Sequence, residues 1–153
     1  MKYLVEHGAD INKEKDGGFT PFYVACQNGH IAIVKYLVEH GANINKERND
    51  GWTPLMIACQ NGHENVIKYL VEHRANINKE NNYGITPIHV ACYNGHENVI
   101  KYLVEHRANI NKEDNNGWTP LMIAYQEGHE NVVEYLGTMI KRMDIKRRND
   151  VMY

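Results

Sequence analysis

Nine histidines and three cysteines are the residues of this chain best suited to chemistry, so their spacing comes first. A helical zinc site needs two histidines four apart on one face, or clustered thiolates. No two histidines here stand at that spacing. They fall into two registers: His30, His63, His96 and His129 follow a glycine, while His7, His40, His73 and His106 follow a glutamate. His89 is the ninth. A histidine that recurs once per repeating unit reads as a structural hydrogen-bonding residue, and no metal site is expected. Cys26, Cys59 and Cys92 keep the same beat, beside Ala25, Ala58 and Ala91, and Tyr125 follows the fourth alanine, Ala124. Equivalent positions on packed neighbouring helices lie roughly 10 Å apart, beyond the ~7 Å Cα separation that a disulfide spans. The cysteines should be reduced, buried fillers, which points to the cytosol or nucleus. The chain contains no serine, which removes every serine nucleophile. Catalytic groups play unlike roles and need a unit that differs from the rest; none does. No glycine-rich phosphate loop appears, so neither an enzyme nor a cofactor is expected.

The elements that must position these residues are legible from the period. Thr20-Pro21, Thr53-Pro54, Thr86-Pro87 and Thr119-Pro120 are each separated by 33 residues with no insertion. The stretch "GWTPLMIACQNGH" at 51–63 returns as "GWTPLMIAYQEGH" at 117–129, and "KYLVEHGADINKE" at 2–14 returns at 35, 68 and 101. A fixed period of this size is the mark of stacked units. Threonine is a good N-cap and proline suits the first helical position, so each Thr-Pro opens a first helix, closed by Asn-Gly after about nine residues. A second helix is expected from His30 to His40, its apolar stripe Ile33, Val34, Leu37 and Val38. The polar "ANINKERNDG" that follows reads as a turn-rich arm. Neither helix is long enough to be stable alone, so neighbours must stack.

The pattern G-x-T-P-L-x-x-A-x-x-x-G-H-x-x-x-V-x-x-L-x-x-x-G-A-x-x-N resembles the ankyrin repeat over nearly the whole chain. The resemblance implies an all-α solenoid of helix-turn-helix units with projecting β-hairpin loops, and a concave groove that binds a partner protein. The expected division is a partial repeat at 1–16, full repeats at 17–49, 50–82 and 83–115, and a last repeat at 116–153 with an extended C-terminal capping helix. The resemblance also implies that the arm residues Asn12, Asn45, Asn78 and Asn111 are candidate substrates of an oxygen-sensing asparaginyl hydroxylase, although Asp10 supplies the preferred acid only in the first copy.

Several positions depart from the family pattern. The histidine two residues after the proline survives only as His89, with Tyr23, Met56 and Met122 elsewhere. The aspartate that opens the hairpin turn survives only as Asp114, with Lys15, Arg48 and Asn81 in its place. The helix-ending Gly8 and Gly41 become Arg74 and Arg107, where a positive φ would cost an arginine about 1 kcal/mol.

The first residues, "MKYLVEHGAD", turn polar too early for a secretory leader. They read as a second helix without its first, which leaves Tyr3, Leu4 and Val5 without an upstream neighbour. A piece of a longer array is the expectation, and end-to-end self-association through this half-repeat is the other way to cover that face. After Leu136 the pattern dissolves into "GTMIKRMDIKRRNDVMY". Val132, Val133, Leu136, Met139, Ile140 and Met143 keep helical spacing, which predicts a prolonged helix with a frayed basic tail. Its Lys141, Arg142, Lys146, Arg147 and Arg148 suit a helix C-terminus, or an anionic surface.

The residues before each Thr-Pro are Phe19, Trp52, Ile85 and Trp118, with Tyr83 near the third hairpin tip. By the resemblance they face the groove, and the first helices continue it with Gln27, Asn28, Gln60, Asn61, Tyr93, Asn94, Gln126 and Glu127. Amides beside aromatic groups suit a neutral, partly apolar protein segment. The formal net charge of −2 argues against a nucleic-acid partner, and no run is long enough for membrane insertion. The rival reading is a structural spacer or a consensus-like, engineered array with no specific partner.

Overall fold

The structure, a computed structural model, describes residues 10–151. Among these residues the chain forms eight helices: α1 Pro21–Gln27, α2 Ile31–Glu39, α3 Pro54–Asn61, α4 Glu64–Glu72, α5 Pro87–Asn94, α6 Glu97–Glu105, α7 Pro120–Gln126 and α8 Glu130–Val151. The inner helices α1, α3, α5 and α7 pack one on the next, and each outer helix packs on its own inner helix. The architecture is therefore an all-α repeat solenoid. The half-repeat residues Tyr3, Leu4, Val5 and His7, and the self-association expected of them, lie outside the described residues.

Each inner helix starts as its Thr-Pro pair dictates. Thr20, Thr53 and Thr119 accept the N–H of Tyr23, Met56 and Met122 through their side-chain oxygens, at 3.1, 3.2 and 3.3 Å. These helices run seven or eight residues, shorter than the spacing alone gives, because the glycine that follows each takes a positive φ and lies outside the helix. Gly62 and Gly95 take the left-handed conformation as caps, with φ 67° and 68°. The outer helices α2, α4 and α6 fit the expected His-to-His span, with His30 and His40 as the two flanking residues of α2. Val34 and Leu37 form its buried stripe, with Ile33 and Val38 half-buried at its flanks. Arg74 and Arg107 do adopt the left-handed conformation, each at φ 68°.

The hairpin loops are tight turns rather than strands. Among the described residues the single bridge is Lys15 with Phe19, and the other loops close by one pair of backbone bonds, as Asp114 N–H to the Trp118 carbonyl at 2.9 Å shows. Neighbouring turns are sewn together instead. Asn49 N–H reaches the Gly17 carbonyl, Asn82 the Asp50 carbonyl and Asn115 the Tyr83 carbonyl, at 3.0 to 3.1 Å.

The C-terminal helix corrects one expectation. Arg74–Ala75 lie beyond the end of α4, but the equivalent residues Ile140–Lys141 lie inside α8, and the segment read as frayed stays helical through Val151. No glycine or proline interrupts it beyond Gly137, and its cations sit at the end that favours them. Val132 and Leu136 are buried, Val133, Met139 and Ile140 are half-buried, and Met143 is 39 % exposed.

Candidate binding groove

The histidines are the first residues the fold accounts for. His63, His96 and His129 each donate through Nε2–H to a carbonyl of the previous inner helix, that of Gln27, Gln60 and Tyr93, at 2.9, 2.9 and 3.0 Å. Those carbonyls are the unsatisfied acceptors at a helix end. His40, His73 and His106 serve their own helices, donating through Nδ1–H to the carbonyls of Tyr36, Tyr69 and Tyr102 while packing against the same rings. His89 is buried. Its Nδ1 accepts the Thr86 N–H at 3.2 Å, and Nε2–H donates to the Trp118 carbonyl at 3.1 Å. Burial lowers its pKa, partly opposed by the Trp118 carbonyl. All three cysteines are free and buried. Burial pushes the Cys92 thiol up to about 12 and raises Cys26 and Cys59 as well, so none offers a thiolate.

The thirteen residues expected to contact a partner do not all line one recess. Five of them converge at the middle of the array. Trp52, Gln60, Ile85, Tyr93 and Asn94 line a recess of about 190 Å³ together with His89, Val90 and Ile123. No formally charged side chain lines it, and its volume compares with the ~150 Å³ apolar cavity that accepts a benzene ring. Tyr93 stands 59 % exposed at its edge. Asn94 donates its amide N–H to the Val90 carbonyl at 2.9 Å, which leaves its oxygen for a partner. Asn28 is tied in the same way to Val24, and Asn61 to both Ile57 and Gln27. Each of these amides thus spends at least one N–H on a helix carbonyl of its own chain and keeps its oxygen free to accept.

Phe19 lies apart. It lines a separate recess of about 290 Å³ with Val24, Ala25 and Ile33, and its ring meets Tyr23 edge-on at 5.5 Å. The Arg48 guanidinium covers both rings, 4.7 Å from Phe19 and 5.5 Å from Tyr23, and is paired with Asp50. Burial lifts the Tyr23 hydroxyl to about 12, with Arg48 pulling the other way. This contact accounts for the departure at Arg48: Asp50 takes over the turn, accepting the Trp52 N–H at 3.2 Å, and the Arg48 side chain is released to cover Phe19 and Tyr23.

Trp118 and Gln126 line a third recess, of about 470 Å³, with Gly117, Leu121, Met122, Tyr125 and Val133. It is the largest of the three, but its residues match stacking positions. Met56 and Cys59 at the same register are fully buried by the following unit, whereas Met122 and Tyr125 are 51 % and 76 % exposed. Gln27, Asn28, Asn61, Tyr83 and Glu127 line none of the three recesses; Tyr83 projects from its hairpin, 60 % exposed. Val90 and Ile123, which floor the central recess, were not singled out from sequence. The signal was present, since the third residue after each proline (Val24, Ile57, Val90, Ile123) is always apolar, but an apolar residue on a short helix reads as core.

Among the described residues no helix is long and apolar enough to cross a membrane, and no group of three or more His, Cys, Asp and Glu side chains could hold a metal ion. A comparison with curated proteins finds no match. The family model for ankyrin repeats matches residues 1–81 and 73–149, with three copies. That match spans nearly all of the chain and agrees with the stacked helix pairs, the Thr-Pro caps and the Gly-His seats. The chain belongs to the ankyrin-repeat family, whose members generally mediate protein–protein interaction.

Proposed function

We propose that this chain is a non-catalytic protein-binding module working in the cytosol or nucleus, and that its central groove takes one large apolar side chain of a partner segment. The observation that carries this reading is the recess among Trp52, Ile85, Val90 and Tyr93, apolar within and edged by the amides of Gln60 and Asn94. A half-buried tryptophan is already ordered before binding, so little conformational entropy is lost when a partner meets it. The uncharged lining favours a neutral segment over an acidic or basic one. The units 17–49, 50–82, 83–115 and 116–153 act as a rigid support for this surface.

The test is quantitative capture from an extract of the source cell by wild type, by Trp52→Ala with Tyr93→Ala, and by Trp118→Ala. The reading expects proteins that the central double variant loses and Trp118→Ala keeps. Equal capture by all three rules out the central recess as the site. Retention of nothing beyond background by wild type favours the rival, a structural spacer.

A further inference from the structure

The chain contains four Asn-Gly pairs: Asn28-Gly29, Asn61-Gly62, Asn94-Gly95 and Asn116-Gly117. We infer that the fold singles out Asn116 among them as a site of spontaneous deamidation. The chemistry requires only water. The Gly117 backbone nitrogen gives up its proton to solvent base and attacks Asn116 Cγ; the new C–N bond forms as the Cγ–Nδ2 bond breaks, and ammonia leaves with a proton from solvent. Water then attacks one carbonyl of the resulting succinimide, that carbon's bond to the ring nitrogen breaks as the nitrogen takes a proton, and aspartate or isoaspartate results. Glycine follows asparagine best because it has no Cβ to obstruct ring closure.

Three of the four pairs are guarded by the same device. Asn28, Asn61 and Asn94 donate their amide nitrogens to the carbonyls of Val24, Ile57 and Val90, at 2.8, 3.1 and 2.9 Å. Swinging Cγ toward the following nitrogen breaks that bond. The glycines are fixed too, because Gly29, Gly62 and Gly95 sit beneath the rings of His63, His96 and His129, within 3 Å of where a Cβ would stand. Asn116 has neither restraint. It is exposed at the tip of the last hairpin. Its backbone N–H is held by Asp114 Oδ1 at 2.8 Å, but its side-chain amide has no partner among the described residues. Gly117 has nothing within 4 Å of a Cβ position. All four glycine N–H groups are hydrogen-bonded, at 3.3 Å for Gly29, Gly62 and Gly95 and 3.0 Å for Gly117, so the nucleophile is no freer at Asn116 and the side-chain tether makes the difference.

The consequence reaches Trp118. Asp114 Oδ1 bridges the N–H groups of Asn116 and Trp118, at 2.8 and 2.9 Å. Isoaspartate inserts one methylene into the main chain between them and breaks that bridge, while either product adds a carboxylate at the tip.

The experiment incubates the full chain in mildly alkaline buffer and follows each Asn-Gly peptide by mass spectrometry, reading the gain of one mass unit. In the folded chain Asn116 is expected to react about tenfold faster than Asn28, Asn61 or Asn94, the factor to which one lost hydrogen bond of ordinary strength converts. In denaturant the four rates should converge, and Asn116→Gln should remove the fast phase without quickening the others. Comparable rates at all four sites in the folded chain would overturn the inference. So would a lead for Asn116 that persists in denaturant, since sequence context and not the fold would then be choosing.

Discussion

Asn78 holds the backbone of Asn109 in the following unit: its Oδ1 accepts the Asn109 N–H at 2.8 Å while its Nδ2 donates to the Arg107 carbonyl at 3.2 Å. Asn45 makes the same two bonds to Asn76 and Arg74. Asn111 occupies the same place in the next arm, but α8 runs on through the residues where the last unit's own arm would stand, and the Asn111 side chain makes neither bond among the described residues. Two residues of one type and register thus have different work. Asn78→Ala is expected to cost about 1–2 kcal/mol, the loss of two modest hydrogen bonds, and Asn111→Ala less than about 0.5 kcal/mol. Urea denaturation of the two variants side by side measures the difference; equal losses would mean that the arm turn, and not the seam, needs asparagine.

Arg74 and Arg107 stand at φ 68°, a conformation that crowds any side chain with a Cβ. Arg74→Gly and Arg107→Gly should each stabilise the chain by about 1 kcal/mol. That gain corresponds to a rise of roughly 2–4 °C in Tm for a chain of this size. The expected sign is the informative part. A lower Tm would mean that the arginine side chains contribute contacts outweighing the backbone strain.

His89 is buried with its pKa lowered by that burial, so the folded chain binds its proton less readily than the unfolded chain. Its contribution to stability is therefore present above the unfolded value of about 6.5. It is lost as pH falls from there toward the lowered folded value. His89→Met copies what Met56 and Met122 already do at this register and removes the titration. The remaining histidines are common to both chains. Between pH 7.5 and 5 the wild type should lose more stability than His89→Met; parallel pH profiles would contradict the assignment.

Much of this fold could be read in advance because each local signal is stereochemical. Thr-Pro starts a helix, Asn-Gly stops one, and the 33-residue period requires stacking, so the inner and outer helices fall where the letters put them. The arginines at positive φ followed from the glycines they replace. The groove was less legible. Trp52, Ile85 and Tyr93 were recognisable as large groups on the right register, but only packing decides that Phe19 is capped by Arg48 and that Trp118 faces the end of the stack. Val90 and Ile123 were missed because an apolar residue lining a recess and one filling a core carry the same hydropathy. The helix running to Val151 was obscured by its charge, which reads as tail until the absence of breakers after Gly137 is weighed.

The central claim is that the unit stacked above a residue decides what that residue must be, and Gly95 and Gly128 test it most directly. Both have positive φ, 68° and 75°, so alanine suffers similar backbone strain at either. They differ in what lies overhead. A Cβ on Gly95 would stand 2.5 Å from the His129 ring, whereas one on Gly128 would meet nothing within 4 Å. The measurement is the unfolding free energy of Gly95→Ala against that of Gly128→Ala. An additional loss of about 1–3 kcal/mol is expected at Gly95, the usual penalty for overpacking. Equal losses at the two glycines would show that backbone strain alone fixes them, and would contradict the central claim.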